Sequence, residues 1–210
     1  DEVGEGMINN CVATLSHLFS MAIQAGVIAK NPCKDVKRFK LVQAKDRILS
    51  ESEISLLLNL PQNKDRMMIL TGLFTGMRLI EVLSLKWKDI DFVRCLISFT
   101  QNKTGKAIVL PLSSYLANEL MGYKAYCTTG GSVFEAREIT KGITDKQSGY
   151  FSALFKGLGI YDFTFHNLRH TFSSLLQSEL GVGAVVVQGM TGHSSLGMLQ
   201  KYSHTGLDNK

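Results

Sequence analysis

The stretch "TFHNLRHTFSSLL", residues 164–176, decides the fold because it combines an apolar helical face with a cluster of polar side chains. On a helix His166, Arg169 and His170 stand at i, i+3 and i+4, so they share one face. Apolar residues at three- and four-residue spacing predict the side that packs on a core: Leu168, Phe172 and Leu175 or Leu176.

The shared face suggests two kinds of site. His166 and His170 have the spacing of a zinc-binding helix, but that motif needs a glutamate directly after the first histidine, where this chain has Asn167. The guanidinium of Arg169 would also repel a cation. Anion binding is favoured, because arginine presents a fork that matches phosphate oxygens and histidine can move a proton near neutral pH.

Composition fits an ordinary globular protein, with 45% hydrophobic and 20% charged residues over 210 positions. The net charge of +5 permits a polyanionic partner without requiring one. The sequence predicts neither a membrane span nor a signal peptide. Its four cysteines form no CxxC pair, so no zinc ribbon or disulfide framework is indicated, and a reducing cytosol is expected.

The N-terminal part predicts a helix over residues 8–28 that Asn31-Pro32 ends. Five basic residues and one acid follow from Lys37 to Arg47. This segment is either a solvated connection or a strap laid along phosphates. The candidate DNA contacts in it are Lys37, Arg38, Lys40, Lys45 and Arg47.

A second domain is predicted to open near residue 49, where Ser50 and Glu53 form a capping box. Helices are predicted over 66–76, 79–87, 113–125, 144–157, 165–179 and 182–190, with Thr144 and Gln147 as another capping box and a last short helix around Leu196 to Tyr202. A change of period predicts a β-hairpin over 95–110. The expected fold is mainly α with a small antiparallel sheet, divided into domains 1–37 and 49–210 by a basic linker, 38–48.

Further candidates lie outside the central stretch. Arg78 follows Gly76 at a helix break, where Glu81 can orient it; it is either a surface ion pair or a phosphate ligand. Lys103 and Lys106 lie on the hairpin turn, either solvated or able to reach a bound anion.

These groups suit attack on a phosphodiester by a tyrosine hydroxyl, since two arginines and a histidine can stabilise the negative charge that develops. The phenol needs a base or a positive field, for which the chain offers His166, and the departing 5' oxygen needs an acid, for which it offers Lys103. Near the C-terminus, "GHSSLGMLQKYSH", residues 192–204, supplies His193 as a charge donor and Tyr202.

Read in order, four segments resemble the signature boxes of the tyrosine recombinases, the phage integrase family: "TGMRLIEVLSLKWKDID" (75–91), "NKTGKAIVLPL" (102–112), "HNLRHTF" (166–172) and "TGHSSLGMLQKYSH" (191–204). The resemblance implies a helical catalytic domain that cleaves DNA through a 3'-phosphotyrosine, without metal or cofactor. Tyr202 would be the nucleophile, and Arg78 and Arg169 would bind the scissile phosphate.

The other roles also follow from the resemblance. Lys103 is the implied general acid, preferred to Lys106 because it leads the "KxxKxxxxPL" pattern. His166 would be the base or proton shuttle and His193 a phosphate donor, with His170 and Glu81 as supporting residues.

The resemblance also implies partners and origin. It predicts double-stranded DNA carrying an attachment or crossover site, a homotetramer on DNA, a monomer free in solution and accessory DNA-bending or directionality proteins. Residues 7–37 are similar to the last helix of the family's core-binding domain, and residues 1–37 are expected to be the remnant of that domain. A cytoplasmic, nucleoid-associated protein of a bacterium or phage is expected.

Two departures and two alternatives accompany the resemblance. Thr191 stands where the family commonly has leucine, and the tail after Tyr202 is short. A type IB topoisomerase-like DNA-relaxing enzyme would use much the same residues. A non-catalytic DNA-binding regulator is the other alternative, although such a regulator has no need to retain the whole set.

Overall fold

The computed structural model describes residues 4–40, 47–102, 104–127, 130–134 and 139–191. The chain divides into two compact units, residues 1–45 and 46–210. In the first unit α1 spans Glu5–Gln24, which confirms the predicted helix with both ends shifted by a few residues. The chain then returns along this helix: Asn31 Nδ2 donates to Ser16 O over 2.9 Å, and Asn9 Nδ2 to Phe39 O over 2.9 Å.

In the second unit the described residues are mainly helical with a small antiparallel sheet, as predicted. The order is α2 (Glu51–Leu58), α3 (Lys64–Thr75), α4 (Leu79–Leu83), a 3-10 turn (Trp87–Asp89), β1 (Ile90–Asp91), β2 (Leu96–Thr100), β3 (Ala107–Pro111), α5 (Ser114–Lys124), α6 (Lys141–Gly157), α7 (Phe165–Ser178) and α8 (Ala184–Thr191). No helix within the described ranges has the length and apolar character needed to cross a membrane.

Of the two capping boxes that the sequence predicts, one is present in the structure and the other is not. Ser50 Oγ accepts a hydrogen bond from Glu53 N, and Ser50 N donates back to Glu53 Oε2 over 2.8 Å, which confirms the first box. The second is wrong, because α6 begins at Lys141 with Thr140 as its N-cap. Thr144 lies inside the helix and its hydroxyl donates to Thr140 O over 3.1 Å.

The predicted hairpin is confirmed as β2 and β3, and the sequence missed β1, which pairs with β2 to give the order β1-β2-β3. Alternation places one side of the hairpin in the core, where the buried residues are Ile97, Phe99, Ile108 and Leu110. The helix predicted over 79–87 is too long, because the chain leaves α4 after Leu83. Trp87 N then donates to Gly131 O over 2.9 Å, which ties this segment to a neighbouring loop instead.

α3 runs through the core and packs closely on α7 at two glycines. A Cβ at Gly72 would lie 2.9 Å from Phe165 Cε1, and one at Gly76 would lie 2.5 Å from Phe172 Cδ1. Gly76 also has φ of 64°, the left-handed conformation that ends α3. The close approach brings the turn before α4 beside α7, so the first and third signature segments meet.

Candidate functional site

Arg169 is a buried side chain on α7 that joins segments distant in sequence. Only 1% of the residue is exposed. Its Nη1 donates to Gly76 O over 2.8 Å, and its Nη2 donates to Thr191 O. A buried guanidinium is costly without hydrogen bonds, and these two carbonyls accept from two of its five N–H groups. Arg169 therefore holds the turn before Arg78 and the end of α8 next to each other.

Arg78 is the N-cap residue of α4, directly after the left-handed turn at Gly76. Its Nη1 lies 2.9 Å from Glu81 Oε1, and its backbone N donates to Glu81 Oε2 over 2.7 Å. The Glu81 side chain is fully buried, whereas that of Arg78 is 24% exposed. The buried Glu81 carboxylate thus holds the Arg78 guanidinium in one orientation. Part of the Arg78 side chain remains exposed to solvent. A surface ion pair was one of the two alternatives for Arg78; the pair with Glu81 is present, but its carboxylate is buried.

The two histidines of α7 lie one turn apart and contact each other. The rings of His166 and His170 are 4.7 Å apart between centroids in a T-shaped arrangement. His166 is exposed and His170 is half-buried. In the described parts of the chain, no group of three or more His, Cys, Asp or Glu residues could hold a metal ion. The exposed imidazole of His166 thus lies three residues before the buried Arg169 on the same helix, and its proton-transfer role stays a prediction.

The hairpin turn carries a buried amide that the sequence analysis did not single out. Gln101 is 1% exposed, and its Nε2 donates to Thr191 O over 2.8 Å. Thr104 Oγ1 donates to Gln101 Oε1 over 2.8 Å. Lys106 is exposed on the same turn, and Lys103 lies outside the described residues. The β2–β3 turn is thereby attached to the carbonyl that also accepts from Arg169.

Thr191 is the last described residue of the chain and the meeting point of this network. It is fully buried, and its hydroxyl donates to Val187 O over 2.7 Å. Thr191 therefore satisfies its polar side chain within α8 at the position where the resemblance expects leucine. His193 and Tyr202 lie outside the described residues, so their positions relative to this point stay predictions.

The five basic residues between Lys37 and Arg47 do not share one structural environment. Lys37, Arg38 and Lys40 are exposed in the first unit, and Lys45 lies outside the described residues. Arg47 has partners in the second unit: it forms an ion pair with Glu53 and lies over the Phe163 ring at 5.8 Å. The hydrogen bond from Arg47 lowers the pKa of the Glu53 carboxyl. The proposed DNA contact of Arg47 stays a prediction.

A cleft of about 420 Å³ opens beside Glu81, between α4 and the sheet. Lys86 and Lys88 line it together with Asn102 on the hairpin turn. The sequence analysis did not select these two lysines, because nothing in their local pattern separates them from solvated surface residues. Because Asp89 and Glu81 line the cleft as well, its two lysines are balanced by two carboxylates.

Comparison with known proteins gives the class. The phage integrase family model matches residues 47–207. A shufflon-specific DNA recombinase of Escherichia coli is 29% identical over 200 residues, covering 92% of this chain and 49% of the relative. This chain therefore spans about half the length of that curated relative.

Solved structures match the fold. The Tn1549 transposon integrase in complex with a circular intermediate DNA superposes with a TM-score of 0.78 at 22% identity, covering 93% of this chain and 74% of that one. A lambda integrase dimer bound to a COC' core site gives 0.75 at 22% identity, covering 98% and 61%. The fold is that of a tyrosine recombinase catalytic domain. The family model covers most of the sequence, and the chain belongs to the phage integrase family.

Proposed function

We propose that this chain is the catalytic part of a site-specific tyrosine recombinase, an integrase of a phage or other mobile element. The observation that carries the proposal is the double hydrogen bond of Arg169 to Gly76 O and Thr191 O. It joins the turn before Arg78 to the residue that precedes the segment with His193 and Tyr202. A set of phosphate ligands and a nucleophile can act together only if their segments are held at one place.

The reaction proposed is two successive transesterifications at phosphorus. The Tyr202 phenol loses its proton to His166, and its oxygen attacks the scissile phosphate. The bond from phosphorus to the 5' oxygen breaks, and that oxygen takes a proton from Lys103 and leaves as a hydroxyl. A 5' hydroxyl from another strand then attacks the phosphotyrosine, restoring a phosphodiester and the free phenol.

The arginines supply the charge that this reaction needs. Negative charge develops on the nonbridging oxygens of the phosphate, and donors fixed in advance stabilise it most in a site that excludes water. Arg78 is partly exposed and oriented by buried Glu81, which suits it to contact DNA from the surface. Arg169 lies deeper, with His166 about one turn before it on α7 and His170 directly after it. We propose His193 as a further donor and His170 and Glu81 as supporting residues.

Double-stranded DNA with an attachment or crossover site is the proposed substrate. The positive net charge of +5 favours binding to a phosphate backbone. Two integrases with this fold have been solved on DNA, one of them as a dimer. We extend this to a monomer in solution that forms a homotetramer on DNA with accessory bending proteins, in a bacterial cytoplasm on the nucleoid. The exposed Lys37, Arg38 and Lys40 would contact the duplex.

Covalent trapping tests this proposal. Nicked duplexes from a random-sequence library are incubated with the chain, and adducts are isolated by denaturing electrophoresis and sequenced. We expect recovery of a defined sequence by the native chain and none by Tyr202→Phe. Tyr161→Phe, at a tyrosine that is 61% exposed, serves as the matched control and should retain the adduct. An adduct that persists in Tyr202→Phe would refute the nucleophile.

Relaxation of a supercoiled plasmid that lacks the recovered sequence separates a recombinase from a general DNA-relaxing enzyme. We expect no relaxation of that plasmid and recombination between two copies of the recovered sequence. Relaxation without the sequence would contradict site specificity and support a type IB topoisomerase-like activity.

A further inference from the structure

Three polar groups of Gln101, its backbone N, backbone O and side-chain oxygen, hold the hairpin turn. Its backbone N donates to Lys106 O over 2.9 Å, and its backbone O accepts from Gly105 N over 2.8 Å. Its side-chain oxygen accepts from the Thr104 hydroxyl over 2.8 Å. A fully buried amide must be paired, and here Gln101 is joined across the turn to Thr104, Gly105 and Lys106. The geometry of the turn is therefore tied to one side chain.

The same side chain connects this turn to the rest of the site. Gln101 Nε2 donates to Thr191 O over 2.8 Å, and Arg169 Nη2 donates to the same oxygen. A carbonyl oxygen has two lone pairs, so it can accept from both donors at once. Through the bond from Arg169 to Gly76 O, the network continues to the turn that carries Arg78. Arg169 of the third signature segment and Gln101, the residue before the second, thus share Thr191 O at the start of the fourth.

We propose that Gln101 is a positioning residue that sets where Lys103 delivers its proton. This inference rests on the proposed function. Gln101 acts through the turn and not on a substrate directly, because it is 1% exposed and its amide is hydrogen-bonded to Thr104 and Thr191. A general acid works only within hydrogen-bond reach of the leaving oxygen, and a displacement of about 1 Å can cost roughly 10²-fold in rate. Loss of the Gln101 amide should slow protonation of the 5' oxygen while leaving the phosphate ligands charged.

A change of leaving group isolates this step. When sulfur replaces the bridging 5' oxygen, the leaving thiol has a pKa of about 8.5, far below the pKa of water as a model of an oxygen leaving group. The thiolate leaves without an acid, so a defect in proton delivery disappears with this substrate. A defect in binding, in the nucleophile or in folding persists.

The test measures single-turnover cleavage at saturating DNA on the nicked duplex that the native chain captures from the library. Gln101→Met keeps the volume of the side chain and removes both amide bonds. We expect a loss of roughly 10²-fold on the oxygen substrate, recovery to within a few fold of native on the sulfur substrate, and unchanged DNA affinity. An equal loss on both substrates, or no loss on either, would overturn the positioning role.

A second pair of variants avoids the buried core. Thr104 is exposed, so Thr104→Val removes the hydroxyl that binds Gln101 Oε1 without threatening the fold. It should slow cleavage of the oxygen substrate and not of the sulfur substrate, while Thr104→Ser, which retains the hydroxyl, should behave as native. Equal behaviour of the Val and Ser variants would contradict the proposal. If the native chain forms no Tyr202-dependent adduct with either substrate, the proposed function itself fails.

Discussion

Arg169 donates a hydrogen bond of 2.8 Å to the carbonyl oxygen of Gly76, a residue 93 positions earlier in the chain. The contact is possible because Gly76 ends α3 in a left-handed conformation, with its Cα facing the ring of Phe172 on α7. The two proposed phosphate-binding arginines therefore belong to one rigid junction between α3 and α7.

Arg169→Ala should impair both cleavage and stability. It removes a buried donor to two backbone carbonyls, which costs about 1–3 kcal/mol in the free energy of unfolding. Loss of the same group from the transition state should cost at least ~10²-fold in cleavage of the captured duplex. Arg94→Ala makes the same charge change at a side chain that is 79% exposed and should leave both quantities near native. Unchanged cleavage in Arg169→Ala would refute a role for this residue.

Gly76→Ala should destabilise the protein more than Gly159→Ala. Both glycines have positive φ, 64° and 81°, so alanine at either position costs about 1–2 kcal/mol. Only at Gly76 would the new Cβ meet another residue, Phe172, which adds about 1–3 kcal/mol of overpacking. Urea unfolding of the two variants measures the difference in the free energy of unfolding. Equal destabilisation of the two variants would show that Phe172 on α7 does not clash with a Cβ at position 76.

Lys103→Ala and Lys106→Ala should differ in their response to the leaving group. If Lys103 is the acid, its variant cleaves the oxygen substrate slowly and the sulfur substrate at nearly the native rate. Lys106 is exposed and holds the turn through its backbone O bond to Gln101 N, which alanine retains. Its variant should show a small loss that is the same for both substrates. The opposite pattern would assign the acid to Lys106.

Glu119 should make stability fall at low pH. Both carboxylate oxygens accept from Arg66, at 2.6 Å and 2.9 Å, and this contact lowers the pKa of Glu119 from its ordinary value of 4.5. Because the folded pKa lies below the unfolded one, the stabilisation is complete above the ordinary value and is lost as pH falls through the lowered pKa.

Glu119→Gln should therefore cost about 1–3 kcal/mol at pH 7, and its difference from the native chain should shrink as pH falls toward 3. Urea unfolding at several pH values measures this. Glu51→Gln, at an exposed position of α2, controls for the loss of one negative charge. A difference that stays constant with pH would contradict the ion pair.

Local chemistry allowed most of the elements to be predicted from the sequence. The three- and four-residue spacing around Leu168 predicts α7, alternation predicts the hairpin, and Ser50 with Glu53 predicts the start of α2. These signals involve neighbours within one or two turns, so the chain carries them without reference to its fold. The pairing of Arg78 with Glu81 belongs to the same class, since the two residues are three positions apart.

Tertiary structure alone decided how the candidate site is held together. Gln101 and Thr191 are 90 positions apart, and nothing in the local sequence of either distinguishes a buried amide or a shared carbonyl from an ordinary turn or helix end. The same holds for β1, whose two residues become a strand only beside β2, and for Thr140, which caps α6 in place of the predicted Thr144. Sequence patterning determined which residues form the helices, the hairpin and the motif faces. Close packing of α3 on α7 determined which carbonyls the buried Arg169 could reach, because a buried guanidinium must find its hydrogen bonds within the folded protein.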